Sequence, residues 1–192
     1  TPYGDMEESD IVKRAILISD FLINKKKSKV IVVACNTATA YAVNTLRDRF
    51  DVPIIGMEPA VKPALKVTLN NRVGVLATSG TSKSAKFSAL LERYSGEVKF
   101  FVQPCPGLVN AIEKGSFDNA ELFELLEKYL ANFKKNGVDT IVLGCTHFVY
   151  VKHLIKKIMG ANIMIVDTSE AVARQLKIKL EEFNLRANSS EP

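Results

Sequence analysis

No apolar run in this chain approaches the ~20 residues that a membrane-spanning helix requires, which argues against a membrane protein. The opening Thr1-Pro2-Tyr3-Gly4 has no initiator Met and none of the charged and apolar regions of a signal peptide. A fragment or processed form is therefore expected. Cysteine is scarce and odd in number, with Cys35, Cys105 and Cys145 the only three. That count argues against a disulfide framework and for a reducing compartment, the cytoplasm. No CxxC pair occurs and there are two histidines, so the ligands for a zinc site are lacking. The net charge of +5 comes without an aromatic-interleaved basic motif, which argues against nucleic-acid binding. Its one cluster, Lys25, Lys26, Lys27 and Lys29, reads as a solvated helix end whose cations complement the helix dipole. A mild positive field would also help draw in an anionic small substrate.

What is present is a stretch written twice. Val30-Ile31-Val32-Val33-Ala34-Cys35-Asn36-Thr37 and Thr140-Ile141-Val142-Leu143-Gly144-Cys145-Thr146-His147 share one plan. Each is a β-branched apolar run, a small residue, a cysteine and small polar residues. Apolar runs without alternation suit strands buried on both faces of a parallel sheet. Each cysteine then falls at the carboxyl end of its strand, where open α/β sheets place their ligands. Upstream of each copy lies a helical pattern closing in lysines. Downstream come a helix and a second apolar run, at Val52-Pro53-Ile54-Ile55-Gly56 and at Asn162-Ile163-Met164-Ile165-Val166. The reading is a duplicated αβαβ unit with one thiol per copy.

With 192 residues, 47% of them apolar, the chain can form one large domain or two small ones. Strands alternating with helices predict a parallel α/β fold in two pseudo-symmetric lobes with a cleft between them. Glu58-Pro59 marks the crossing between lobes. Residues 1–58 plus 166–192 are expected in the first lobe and 59–165 in the second. Helix is expected over 6–27, with Ile11, Ala15, Ile18 and Leu22 on its apolar face, and over 39–50, 83–94, 108–113, 119–135 and 169–183. From residue 184 the chain reads as a frayed tail.

A cysteine that ends a strand before a helix start can be structural or reactive, since a helix N-terminus favours the thiolate. Cys145 has His147 two residues on, placed to orient or protonate it. Cys105, between Pro104 and Pro106, lacks the strand context and reads as structural. Thr78-Ser79-Gly80-Thr81-Ser82 follows a strand and opens a helix, which suits either plain capping or an anion-binding terminus. Two facing thiols admit three chemistries. They are a redox disulfide, an acyl-transfer nucleophile with a spare thiol, and two acid/base groups on opposite faces of one carbon. The last accounts for the symmetry: one thiolate removes a proton, the other thiol returns one, and the stereocentre inverts.

Five motifs, Ala34-Cys35-Asn36-Thr37-Ala38, Gly144-Cys145-Thr146-His147-Phe148, Pro2-Tyr3-Gly4, Ile55-Gly56-Met57-Glu58-Pro59 and Thr78-Ser79-Gly80-Thr81, stand in register over nearly the whole chain. Together they resemble the glutamate racemases of the Asp/Glu racemase superfamily. The resemblance implies cofactor-independent interconversion of L- and D-glutamate for peptidoglycan synthesis, and a homodimer. It also assigns roles: Cys35 would deprotonate D-glutamate and Cys145 L-glutamate, with His147 assisting Cys145. Tyr3, Gly4, Asn36, Thr37, Thr146 and His147 would contact substrate, Thr78 and Thr81 would lie near its carboxylate, and Glu113 would stand close to the site. By its residues alone Glu113 is equally a solvated helix residue. Two rivals remain: another amino-acid racemase of the superfamily, acting on aspartate, and a non-catalytic binder of small anions. The sequence departs from the family pattern in three places. The opening strand with its Asp-Ser-Gly loop and the closing elements do not appear, so little activity is expected of this stretch alone. The usual Pro-Leu after Phe148 is Val149-Tyr150.

Overall fold

The computed structural model describes residues 2–115, 117 and 119–186. The elements in chain order begin with helix α1 (Glu8–Asp20), a π-helical turn (Phe21–Lys25), β1 (Ile31–Val33), α2 (Asn36–Arg49) and β2 (Ile54–Gly56). Next come α3 (Val61–Leu65), β3 (Arg72–Ala77), α4 (Ser79–Lys83), α5 (Ala85–Glu92), β4 (Lys99–Pro104), α6 (Leu108–Glu113) and α7 (Ala120–Lys135). The described chain closes with β5 (Thr140–Gly144), a 3₁₀ turn (Thr146–Val151), α8 (Lys152–Met159), β6 (Met164–Val166) and α9 (Ser169–Glu182). Of the tail expected from residue 184, residues 187–192 lie outside the described residues.

All strand pairs are parallel. β1 pairs with β2, and a second sheet runs β4-β3-β5-β6. The repeated sequence therefore folds as a repeated unit: β1-α2-β2 and β5-turn-α8-β6 each return a parallel neighbour after a helical crossover. The two copies differ in cover. β5 lies between β3 and β6 and is buried at every residue. β1 is buried only at Ile31, because among the described residues it pairs along one edge alone. The expectation that both strands are covered on both faces thus holds for β5 and not for β1.

The larger core surrounds the second sheet, with Leu122, Leu126, Leu130 and Phe133 of α7, Ile155 of α8, and Ile141 and Leu143 of β5 fully or almost fully buried. Those α7 residues recur at three- and four-residue spacing, the period of one helix face. A smaller core of Ile31, Ala42, Val43, Leu46 and Ile54 sits between α1, α2 and the first sheet. α9 packs against β2. In α1 the buried stripe passes through Ile11 and Ser19, while Ile18 is 46% exposed. Ile18 falls outside the face of α1 that packs on the smaller core, which runs through Val12, Ala15 and Ile16. The helix expected over 83–94 is α5, and a separate short helix, α4, precedes it; Ser84 lies between them and its hydroxyl caps α5 at the Phe87 amide.

β3 and β5 approach so closely that one position tolerates no side chain. A Cβ on Gly144 would stand 2.7 Å from the Leu76 carbonyl oxygen, a backbone atom that moves only with its strand. Gly144→Ala is accordingly expected to lower unfolding free energy by ~1–3 kcal/mol, the usual penalty of overpacking a filled core. A lowered denaturant midpoint with unchanged slope checks this, and an unchanged midpoint would contradict it.

Candidate active site

Each thiol sits where its strand hands over to a helix. Cys35 is the N-cap of α2, in extended backbone, and its half-buried sulfur accepts the Ala38 amide at 3.5 Å. Cys145 holds the same position after β5, and the helix it starts opens as a 3₁₀ turn. Cys145 is 8% exposed. Burial raises the Cys145 thiol to about 11, against lowering by the His147 and Phe148 amides, and the charge of Cys35 raises it further.

His147 lies beside Cys145, its Nδ1 3.9 Å from Sγ. Its other nitrogen, Nε2, is 2.6 Å from Glu113 Oε1, at the last residue of α6. A carboxylate bonded to one ring nitrogen fixes the orientation of the imidazole. The structure thus settles the neighbour of Glu113, a residue whose own sequence context is indifferent.

A cluster of hydroxyls joins the two sheets. Thr37 Oγ1, on the first turn of α2, is 2.8 Å from Thr78 Oγ1 and 3.1 Å from Thr81 Oγ1, which are 3.0 Å from each other. Thr78 also caps α4 by accepting the Thr81 amide. All three residues are buried. Three hydroxyls carry three protons, and a closed triangle engages all of them. To donate to a carboxylate, at least one hydroxyl must turn out of the triangle. Gly80 enables the approach: its Cβ would meet the Thr37 methyl at 2.9 Å and the Gly4 carbonyl at 3.0 Å. The Gly80 amide donates to that carbonyl at 2.8 Å, and the Tyr41 hydroxyl donates to the Gly80 carbonyl at 2.7 Å.

Gly4 and Thr78 border a small recess together with Asp5, Ser79 and Asn110. Asp5 and Asn110 were not singled out from the sequence, where nothing distinguishes them from ordinary loop and helix residues. Tyr3 is half-buried beside Gly4, and Thr146 is half-buried at the first position of the 3₁₀ turn. Asn36 is buried, and neither atom of its amide has a hydrogen-bond partner. It borders a second small recess with Met57, Pro59 and Phe87, where Lys86 pairs with Glu58 at 3.1 Å. A buried amide left unpaired costs about 1–3 kcal/mol. Cys105 is in the larger core, its S–H donating to the Gln103 carbonyl at 3.3 Å, with burial pushing the thiol up. Among the described residues, no group of three or more His, Cys, Asp or Glu is placed to hold a metal ion. No helix among them is long and apolar enough to cross a membrane.

These differences in exposure separate the thiols. Treatment with iodoacetamide at pH 8, followed by peptide mapping, is expected to alkylate Cys35 before Cys145 and Cys105. Equal or inverted labelling rates in the native protein would contradict the arrangement.

The comparisons with known proteins agree with one another. The family model described as Asp/Glu/Hydantoin racemase matches residues 5–176. A glutamate racemase of Pseudomonas paraeruginosa is 50% identical over 188 residues, which cover 97% of this chain and 71% of that protein. The crystal structure of a glutamate racemase isoform from Bacillus anthracis superposes with a TM-score of 0.87 at 30% identity, over 100% of this chain and 72% of that one. The Escherichia coli glutamate racemase, solved with L-glutamate and the activator UDP-MurNAc-ala, gives a TM-score of 0.85 at 32% identity, over 94% and 68%. The same two-sheet architecture and half the residues shared along nearly its whole length make this chain a member of the Asp/Glu/hydantoin racemase family.

Proposed function

We propose that the protein is a glutamate racemase, an isomerase that interconverts L- and D-glutamate by moving protons between Cys35, Cys145 and the substrate α-carbon. The observation that carries this reading is the pair of thiols. They end corresponding strands of two repeated units, each at the start of a helical segment. A binder of small anions has no use for that pair. Glutamate, rather than aspartate, follows from the names of the relatives that share about half of this sequence.

With L-glutamate bound, Cys145 as thiolate takes the α-proton from one face, and Cys35 as thiol gives its proton to the other. One C–H bond breaks and one forms, no electrons change hands, and the reverse reaction exchanges the roles. At neutral pH Cys145 rests as the thiol. His147 is the group available to accept its proton, at Nδ1, while Nε2–H donates to Glu113. Cys35 stands at the start of α2 with the Ala38 amide donating to its sulfur. Thr37, Thr78 and Thr81 supply hydroxyls for the substrate's carboxylate once the triangle opens. Asn36, Thr146, Tyr3 and Gly4 complete the proposed contacts. We further propose two lobes, residues 1–58 with 166–192 and residues 59–165, and a homodimer. A cytoplasmic location and a role in supplying D-glutamate for the cell wall fit the three free thiols and the bacterial relatives.

Three measurements test the proposal. Cys35→Ser and Cys145→Ser should each lower racemisation in a coupled D-glutamate assay by ~10²–10⁴, the worth of one positioned acid/base group. Intact turnover in either variant would remove the two-thiol mechanism, and glutamate binding without any turnover would favour the binding module. Initial rates with L-aspartate are expected to fall well below those with L-glutamate. Faster turnover of L-aspartate would reassign the substrate.

A further inference from the structure

The pair Glu113–His147 is one rung of a two-rung contact. The second rung is Phe117 against Tyr150, whose rings stack with centroids 5.5 Å apart and planes 8° from parallel. The spacing on both sides makes this a ladder. His147 and Tyr150 are three residues apart on the 3₁₀ turn Thr146–Val151, and in a 3₁₀ helix residues i and i+3 eclipse one another. Glu113 ends α6, and Phe117 follows four residues later. Lys114, next to Glu113, pairs with Glu121 of α7 at 3.0 Å, tying the same junction from the other side. α6 and the 3₁₀ turn also pack against each other.

The chemistry of the two rungs is unequal. Glu113 and His147 are both open to solvent, with side chains 54% and 30% exposed. A side-chain hydrogen bond this accessible competes with water and holds its geometry weakly. The aromatic stack is partly sheltered at its Phe117 end by the larger core, and its attraction does not depend on salt or protonation. Tyr150 itself is 58% exposed. An aromatic this exposed adds little to the core, so its stacking matters chiefly for where it holds the loop.

We propose that the Phe117–Tyr150 stack is a positioning device for the reaction: it fixes the end of α6 against the 3₁₀ turn and so holds Glu113 on His147 and His147 on Cys145. The inference rests on the two-thiol reading given above. Neither ring touches the reacting atoms. Their effect reaches Cys145 through His147 and leaves Cys35, on the other sheet, untouched.

That one-sidedness supplies the test. Enantiomers have equal free energy, so kcat/KM must be the same in both directions for any variant. A defect confined to the Cys145 face shows instead in primary isotope effects. With Tyr150→Ala, kcat/KM is expected to fall about 3- to 10-fold, in keeping with one aromatic pair. The isotope effect from L-glutamate deuterated at Cα should rise, because removal of that proton by Cys145 becomes slower. From labelled D-glutamate it should fall, because the slow step moves to reprotonation. Phe117→Ala should behave alike, the double variant should add nothing further, and Tyr150→Phe, which keeps the stack, should retain wild-type values. Unchanged or equally shifted isotope effects in the two directions would overturn the proposal. This holds even if the rate falls, since loss of folded protein lowers rate without touching them. Failure of the underlying reading is separate and would appear as full turnover in Cys145→Ser, which would remove this proposal as well.

Discussion

The site depends on the parallel pairing of β3 with β5. Ala77 stands opposite Gly144 in that register, so the residues that follow, Thr78 and Cys145, leave the sheet side by side at its carboxyl edge. Gly144 makes the closeness possible, with the Leu76 carbonyl occupying the space a side chain would need. From Thr78 the connection runs on through the hydroxyl triangle to Thr37, two residues past Cys35. Two thiols on separate sheets are thereby tied together by one strand register and three hydroxyls.

The two copies of the repeat share a plan but not an environment. Cys35 caps a regular helix and remains half-buried, whereas Cys145 precedes a 3₁₀ turn and is nearly enclosed. Enclosure makes the Cys145 thiolate costly, which is why burial is the leading cause of its raised value. It is also the thiol with a histidine beside it and a carboxylate beyond. Of the two thiols at repeated strand ends, the histidine and carboxylate thus stand beside the more enclosed one.

The neighbourhood of the thiols is polar, buried and incompletely paired. Asn36 has both amide atoms without partners, and the hydroxyls of Thr37, Thr78 and Thr81 bond to one another and to the Thr81 amide. Polar groups in that condition gain from a ligand that brings charge and hydrogen bonds of its own. Their placement at helix starts, with amides pointing the same way, suits an anionic guest.

Much of this was legible in the residues. The unalternating runs before Cys35 and Cys145 announced parallel strands, the repeat announced two related units, and the small polar residues after each thiol announced helix starts. All of these are local properties of chain stereochemistry and hydrophobic period. Periodicity was less informative for α1, where the helix it packs on, not its composition, selected Ser19 over Ile18 for burial. Glu113 could not be told from a solvated helix residue, because its role comes from a histidine 34 positions later. What the sequence by itself determined is the element order and the two thiols at strand ends. Only the tertiary structure decided that β1 has one covered edge, that Thr37, Thr78 and Thr81 close on one another, and that Glu113 reaches His147. Those contacts join residues far apart in the chain, and no local propensity encodes a distance between them.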